Sequence, residues 1–263
     1  MLVLLTNDDG VFAPGLRALR ESWERQEDVE LYVVAPAEER SASGHAITLH
    51  RPLMVEEVTF PGSLTASWSV GGTPADAVKL AVEALLPRVP DLVISGINRG
   101  PNLGTDIFYS GTVSAAVEAV ISGIPSLAIS LASFEDGDYG VAARFSVRLA
   151  REVRRRGLPA GVLLNVNVPP LEEHEIAGVA VTRLGVRRYR DLFDRRVDPR
   201  GRVYYWLTGE AEEESGPEDS DVVALKQNLI SVTPVHLDLT HHDLRKQLET
   251  WDLEGEQPWR NWP

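Results

Sequence analysis

The feature that most limits the fold of this chain is an alternation of short apolar runs with amphipathic segments over its first two thirds. The apolar runs predict buried strands, and the segments between them predict helices with one apolar face. This alternation favours an α/β fold, a Rossmann-like three-layer α/β/α arrangement with a mostly parallel sheet. The predicted strands are Leu2–Thr6, Leu31–Pro36, Leu92–Ile97, Ser126–Ser130 and Leu163–Val168, and the predicted helices span about 14–26, 74–87, 112–123 and 139–156.

The last third of the chain has a different sequence pattern. Around Pro199-Arg200-Gly201 the sequence predicts a β-hairpin, and its second strand, Arg202–Leu207, has aromatic side chains on both faces. An exposed aromatic ribbon of this kind is more often a subunit contact than a catalytic device. We therefore expect a C-terminal hairpin and helix extension that is used in oligomerisation. The stretch Glu210–Asp221 is strongly acidic and predicts a solvated, mobile loop.

Composition excludes several classes of protein. The 263 residues include no cysteine, so a metal ion would be bound through oxygen or imidazole. The formal net charge of -13 argues against a nucleic-acid-binding protein, which usually needs a basic face. The first apolar run is too short for a signal peptide, and no stretch is long enough to span a bilayer. We expect a cytoplasmic protein with no nucleic-acid or membrane partner.

Polar side chains follow three of the predicted strands at the point where each strand ends. Asp8 and Asp9 follow the first strand, a serine-rich loop with Ser41 follows the second, and Asn98 follows the third. Open α/β sheets bind ligands beyond the carboxyl ends of their strands. Two adjacent carboxylates there favour a bound cation. The alternative is a plain acidic turn or a helix cap, because Asn, Asp and Gly are ordinary turn residues.

A second polar motif stands at the start of a predicted helix. Ser110, Gly111 and Thr112 offer free backbone amides and two hydroxyls, which is the composition of an anion site, although the same residues could merely cap the helix. The chain has no dinucleotide fingerprint and no Walker lysine loop. Hard oxygen donors facing a phosphate site suit Mg²⁺ or Mn²⁺ and the hydrolysis of a phosphate ester.

Five motifs, in order, resemble those of the SurE (survival protein E) nucleotidases. They are TNDDG at 6–10, APAEERSASGHAIT at 35–48, GTPADAVKLA at 72–81, SGINRGPNLG at 95–104 and YSGTVSAAVEA at 109–119, and LISVTP at 229–234 also fits. The resemblance runs from residue 2 to about 245. One departure is Asn228, where the family often has Gly; Asn is the next-best residue for a left-handed conformation, so we expect the turn to survive.

The resemblance implies a divalent-metal-dependent phosphatase, a 5′-nucleotidase that also accepts nucleoside 3′-monophosphates and in some members short-chain polyphosphate. It implies one Mg²⁺ or Mn²⁺ ion per subunit, and a homodimer or homotetramer with exchanged C-terminal elements. The implied roles are catalytic for Asp8 and Asp9; metal-binding for Asp8, Asp9, Ser41 and Asn98; and phosphate-binding for Asn98, Ser110, Gly111 and Thr112.

The predicted parts of the chain are a catalytic core over 1–178, a hairpin and C-terminal elements over 179–250 for subunit exchange, and a tail over 251–263 outside the resemblance. In the mechanism we favour, a water attacks phosphorus with Asp9 as base or orienting group. A variant makes Asp8 the nucleophile through an aspartyl-phosphate, and the sequence does not separate the two. A non-catalytic nucleotide sensor on the same fold is the alternative function, and it predicts binding without turnover.

Overall fold

The computed structural model describes residues 1–135, 137–190, 193–211 and 217–253. The strands are β1 (Leu2–Thr6), β2 (Glu30–Pro36), β3 (Val55–Val58), β4 (Ala66–Val70), β5 (Leu92–Arg99), β6 (Ser126–Leu131), β7 (Val162–Val168), β8 (Gly178–Val181), β9 (Tyr189–Arg190), β10 (Phe193–Val197), β11 (Val203–Leu207), β12 (Glu210–Ala211) and β13 (Leu229–His236). The helices are α1 (Pro14–Trp23), α2 (Pro74–Leu80), α3 (Gly111–Ile121), α4 (Gly140–Arg156), α5 (Asp221–Lys226) and α6 (His242–Leu248).

A nine-stranded sheet forms the centre of the protein, in the order β3-β4-β2-β1-β5-β6-β7-β13-β8. The strands from β4 to β7 in that order run parallel. Strand β3 is antiparallel to β4, and β13 is antiparallel to β7 but parallel to β8. Strand β1 therefore lies inside the parallel block, between β2 and β5, and its carboxyl end opens at the middle of the sheet edge.

The helices cover both faces of this sheet because the side chains of the buried strands alternate in direction. Val3 and Leu5 pack with α1 and α4, whereas Leu4 packs with α2 and α3. The indole Nε1 of Trp23 on α1 donates to Ser146 Oγ on α4 (3.0 Å), which joins the two helices of one layer. No helix among the described residues is both long and apolar enough to cross a membrane.

The predicted Rossmann-like three-layer fold is confirmed. Each predicted strand and helix of the first two thirds is found with small changes at its ends; α2, for example, continues into a π-helical turn over Ala81–Leu85. Four strands of the sheet were not among the predictions: β3, β4, β8 and β13. The predicted turn at Asn228 is also found, with φ 58°.

In the last third of the chain the predicted hairpin is found, and one expectation is corrected. Strands β10 and β11 pair antiparallel around the predicted turn, with Arg195 opposite Tyr205. The acidic stretch Glu210–Asp221 is not simply a solvated loop. Its first two residues form β12, paired with β9, and Ser220 and Asp221 at its end are fully buried. Residues 212–216, and 254–263 of the predicted tail, lie outside the described residues.

Candidate metal and phosphate site

Asp8 stands where β1 ends, and it is almost fully buried, with 4% of its surface exposed. The Thr112 hydroxyl donates a hydrogen bond to Asp8 Oδ1. Burial is the largest influence on the carboxyl group and raises its pKa to about 6; the Asp9 charge acts in the same direction, and the Thr112 hydrogen bond opposes both. Asp8 is therefore an acid that the protein keeps out of water with one hydroxyl as its side-chain partner.

Asp9 is half-buried beside Asp8 and faces the end of β5. Its Oδ2 accepts a hydrogen bond from the backbone N–H of Arg99 (3.1 Å). Burial and the nearby Glu39 carboxylate raise the pKa of Asp9, while the hydrogen bond and the Arg99 charge lower it. Both members of the carboxylate pair thus have raised pKa values, chiefly because both are buried, and a neighbouring carboxylate adds to the effect in each case.

Helix α3 begins directly opposite Asp8. The Ser110 hydroxyl accepts a hydrogen bond from the backbone N–H of Val113 (3.1 Å), so Ser110 caps the helix. Gly111 is pressed against the carboxylate: a Cβ at this position would lie 2.7 Å from Asp8 Cβ and 2.8 Å from Asp8 Oδ2. The first backbone N–H groups of a helix have no partner within it, and that of Thr112 acts on Asp8, where its hydrogen bond lowers the pKa of the carboxyl group.

The loop after β2 brings Ser41 to the same edge. The backbone N–H of Arg40 donates to the Asp8 carbonyl (2.7 Å), and that of Gly44 donates to the Tyr109 carbonyl (3.0 Å). Ser41, between these two anchors, is exposed, and its hydroxyl donates to Glu39 Oε1 (2.7 Å). Donation uses the hydrogen of the hydroxyl and leaves its oxygen lone pairs for a metal.

Asn98 is fixed by its own neighbours at the end of β5. Its Nδ2 donates one N–H to the Gly100 carbonyl (2.7 Å), which orients the amide; the amide oxygen can bind a cation, and the NH₂ group has a second N–H that can donate to a phosphate. Asn98 adjoins Arg99, whose backbone N–H is bound to Asp9. The structure therefore gathers the predicted residues from four segments of the chain around one sheet edge.

The side chains at this edge fit a hard divalent cation. Two carboxylates, one amide oxygen and one hydroxyl are the donors that Mg²⁺ and Mn²⁺ prefer. The Oδ1 of Asn7 and the Oγ of Ser95 are buried here without a hydrogen-bond partner. In the described part of the chain no group of three or more His, Asp and Glu side chains could hold a metal. An ion would therefore rely on two carboxylates, neutral oxygens and water.

Two contributors were missed at the sequence level. Glu39 raises the pKa of Asp9, and its Oε2 lies 3.8 Å from the Arg99 guanidinium. Thr112 was predicted only as a phosphate contact, but its hydroxyl also holds Asp8. The sequence places Glu39 in a strand-end loop, two residues before Ser41, so it could have been considered as a site residue. The spacing does not indicate that its side chain points toward Asp9.

One cavity of the described chain lies on another part of the surface. A cavity of about 420 Å³ lies between α4 and the edge strand β8, lined by residues that include Arg144, Phe145 and Arg148. It contains none of the predicted site residues. Asp8 and Asp9 are distinguished by their chemistry and by their place at the strand ends.

The fold and this edge define the class: a Rossmann-like α/β protein with a carboxylate pair that faces the N-terminus of a helix across the sheet edge. Within that class, the chain belongs to the SurE family, because the family described as "Survival protein SurE" matches residues 3–191. The resemblance drawn from the sequence motifs is therefore confirmed.

Similar proteins extend the match over nearly the whole chain. A protein of Symbiobacterium thermophilum named 5′-nucleotidase SurE is 59% identical over 252 residues, which cover 96% of this chain and 98% of the relative. A second, from Carboxydothermus hydrogenoformans and of the same name, is 54% identical over 97% of this chain and 98% of its own. The crystal structure of the SurE protein from Aquifex aeolicus matches with a TM-score of 0.81 and 41% identity, covering 95% of this chain and 98% of that chain.

Proposed function

We propose that the chain is a 5′-nucleotidase that hydrolyses nucleoside 5′-monophosphates to nucleoside and phosphate with the help of a divalent metal ion. The name shared by its relatives supports the reaction class. The observation that carries the proposal is Asp8, a buried carboxylate with a pKa raised to about 6, in contact with the first turn of α3. A fold gains nothing from such an acid unless a ligand compensates for it.

The proposed ligand set is Asp8, Asp9, Ser41 and Asn98. A bound Mg²⁺ or Mn²⁺ would polarise a phosphoryl oxygen and lower the pKa of a water molecule at this site. Ser41 and Asn98 contribute neutral oxygens, so the set carries two negative charges, which match one divalent cation.

The remaining residues act on the phosphate. The backbone amides of Gly111 and Thr112, together with the Ser110 hydroxyl and the Asn98 side chain, offset the charge on the phosphoryl oxygens. Asp9 is less buried than Asp8, so it has the better access to an attacking water and can orient or deprotonate it. A phosphoryl group trapped on Asp8 would instead assign Asp8 as the nucleophile.

Phosphate release from 5′-AMP tests the proposal directly. We expect turnover with Mn²⁺ or Mg²⁺ and none with an excess of chelator. Asp9→Asn should lower kcat by roughly a thousandfold or more, because it removes a proposed metal ligand and base together. The matched control is Asp28→Asn on the far surface, which should keep full activity. Nucleotide binding without phosphate release, with every divalent metal tried, would instead support a nucleotide sensor.

The wider properties of the enzyme are proposals of the same kind. We propose activity on nucleoside 3′-monophosphates and short-chain polyphosphate, a cytoplasmic location, and a homodimer or homotetramer held by the elements over 179–250. The aromatic hairpin supports the last of these, because Tyr205 and Trp206 on β11 are 58% and 56% exposed. The proposed division is a catalytic core over 1–178, the exchange elements, and a tail over 251–263.

A further inference from the structure

Glu118 is a buried carboxylate that the proposed reaction does not use. It lies on α3, two turns after Gly111, and its side chain is only 4% exposed. A buried charge is costly unless other groups compensate for it. Glu118 therefore needs partners, and these partners show which segments of the chain it holds together.

Its two partners come from two other segments of the chain. His45 Nε2 lies 2.9 Å from Glu118 Oε2, and Lys79 Nζ on α2 lies 3.2 Å from Glu118 Oε1. His45 belongs to the loop that carries Ser41, whereas α2 carries no proposed site residue. Because a carboxylate only accepts, His45 donates its Nε2 proton to Glu118. This bond joins the Ser41 loop to the helix that begins at the phosphate site.

The loop needs such a connection, because it has little structure of its own. Residues 41–50 form neither helix nor strand. Ala42 has a left-handed backbone with φ 55°, a conformation that costs energy in any residue with a Cβ. Arg40 and Gly44 anchor the loop through backbone hydrogen bonds, and Thr48 is bonded to Asp76 on α2. Between them, His45 is the side chain that connects the loop to α3.

We propose that Glu118, acting through His45, is a positioning residue that holds the Ser41 loop against α3 and so presents the Ser41 oxygen to the metal. The inference rests on the proposed function, in which Ser41 is a metal ligand. Neither residue touches the reacting atoms.

Three variants of exposed or half-exposed side chains test this role. His45→Ala removes the contact. His45→Gln places an amide Nε2 the same number of bonds from the backbone, so it can still donate to Glu118. Lys79→Met removes the other partner of Glu118 and leaves the loop connected, which makes it the matched control. Ser41→Ala reports separately on the ligand role of Ser41.

Three measurements are made on the whole protein: Mn²⁺ affinity by calorimetric titration, amide hydrogen exchange over 38–49 without metal, and the Mn²⁺ dependence of 5′-AMP hydrolysis. We expect His45→Ala to weaken Mn²⁺ binding roughly three- to tenfold, the effect of losing one charge-assisted hydrogen bond, and to speed exchange in the loop. The half-saturating Mn²⁺ concentration for 5′-AMP hydrolysis should rise in step, with kcat at saturating metal changing far less. His45→Gln should restore all three values, and Lys79→Met should leave them unchanged.

The outcomes separate the two levels of inference. If Ser41→Ala weakens Mn²⁺ binding but His45→Ala does not, the positioning role is wrong and the ligand set stands. The positioning role is also wrong if Lys79→Met reproduces the loss, because Glu118 would then act through its charge alone. If Ser41→Ala leaves Mn²⁺ affinity unchanged, the proposed ligand role fails, and the positioning role fails with it.

Discussion

The carboxyl group of Asp8 has a pKa of about 6 instead of its usual value near 3.8, mainly because it is buried. Between these two values the folded protein binds a proton that the unfolded chain has released. The folded state is therefore favoured at low pH, and this advantage disappears as the pH rises through 6. A metal ion would compensate for the charge that appears.

We expect the metal-free protein to lose stability as the pH rises from about 4 to 6, by up to roughly 3 kcal/mol from Asp8 alone. Asp8→Asn should abolish that part of the pH dependence and, in chelator at pH 7, should unfold at a higher temperature than the wild type. Urea unfolding at a series of pH values measures the pH dependence of the free energy of unfolding, and a thermal melt in chelator at pH 7 measures the unfolding temperature. If the free energy of unfolding changes with pH equally in the two proteins, the pKa of Asp8 is not raised.

Gly111 is a position where one methyl group should matter. Gly111→Ala would place a Cβ 2.7 Å from Asp8 Cβ, too close for any real contact, so either the carboxylate or the first turn of α3 must shift. We expect kcat/KM for 5′-AMP to fall by about a hundredfold, as for other small displacements of a reacting group. Steady-state kinetics and the melting temperature are the measurements.

Gly71→Ala is the control for that substitution. A Cβ at Gly71 would lie 3.5 Å from Met54 Cβ, an ordinary contact, and its three nearest atoms all belong to Met54, which is not a proposed site residue. Its kinetics should match those of the wild type. Full activity of Gly111→Ala would mean that Asp8 does not need its present position against α3.

The sequence predicts Asp8, Asp9 and Asn98 as site residues because they stand at strand ends, where the direction of the chain is fixed by the sheet. It does not predict that Thr112 holds Asp8, because that contact depends on how closely α3 approaches β1. The same limit applies to Glu118: its place on α3 is readable, but its partners on two other segments are known only once those segments are packed.

At the scale of elements, Asp221 at the start of α5 connects segments that are far apart in sequence. Its carboxylate accepts hydrogen bonds from the backbone N–H groups of Gly104 and Gly185, each at 2.8 Å, and it is fully buried. The loop that runs from Asn98 to Ser110 is therefore fixed from the far side by a residue of the last third of the chain.

Asp221→Asn should destabilise the protein by about 1–3 kcal/mol, because an NH₂ group would face a buried N–H and leave it without an acceptor. Chemical denaturation gives the free energy of unfolding. The control is Asp219→Asn, which alters an exposed pair with Arg183 and should cost less than about 1 kcal/mol. If Asp221→Asn leaves the free energy of unfolding unchanged, the loop from Asn98 to Ser110 is held by its other contacts.

The predictability of the elements follows their burial. Strand β1 is buried throughout and reads as an unbroken apolar run, so the sequence predicts it to the residue. Strands β3 and β8 have only four residues each, with exposed side chains and no clear pattern. Strand β13 contains Pro234, which normally argues against a strand; β8 pairs with it only as far as Val232, so the proline lies beyond that ladder.

At the scale of the whole molecule, the hairpin of β10 and β11 exposes aromatic side chains that include Tyr205 and Trp206, and the proposed oligomer would cover them. Trp206→Glu would put a charge into any interface formed there, and we expect it to shift the oligomer to a monomer in analytical ultracentrifugation. The control is Leu64→Glu. Leu64 is a fully exposed loop residue outside the hairpin, so its substitution should not change the oligomeric state. If the wild type is a monomer, or if Trp206→Glu leaves the oligomer unchanged, the proposed role of the hairpin in the interface is wrong.

Residues 183–228 leave the central sheet after β8 and return to it at β13, and the two strands lie side by side. Because β8 and β13 run parallel, Thr182 at the end of β8 lies beside Val232 and Thr233, whereas the chain re-enters the sheet at Leu229, beside Gly178. The two ends of this excursion are therefore held apart by the length of the ladder. At its tip, β10 and β11 are antiparallel and the Asp198 N–H donates to the Arg202 carbonyl (2.9 Å), which brings the two sides of the turn together. A guest domain inserted between Arg200 and Gly201 would therefore meet an entrance and an exit that already lie side by side.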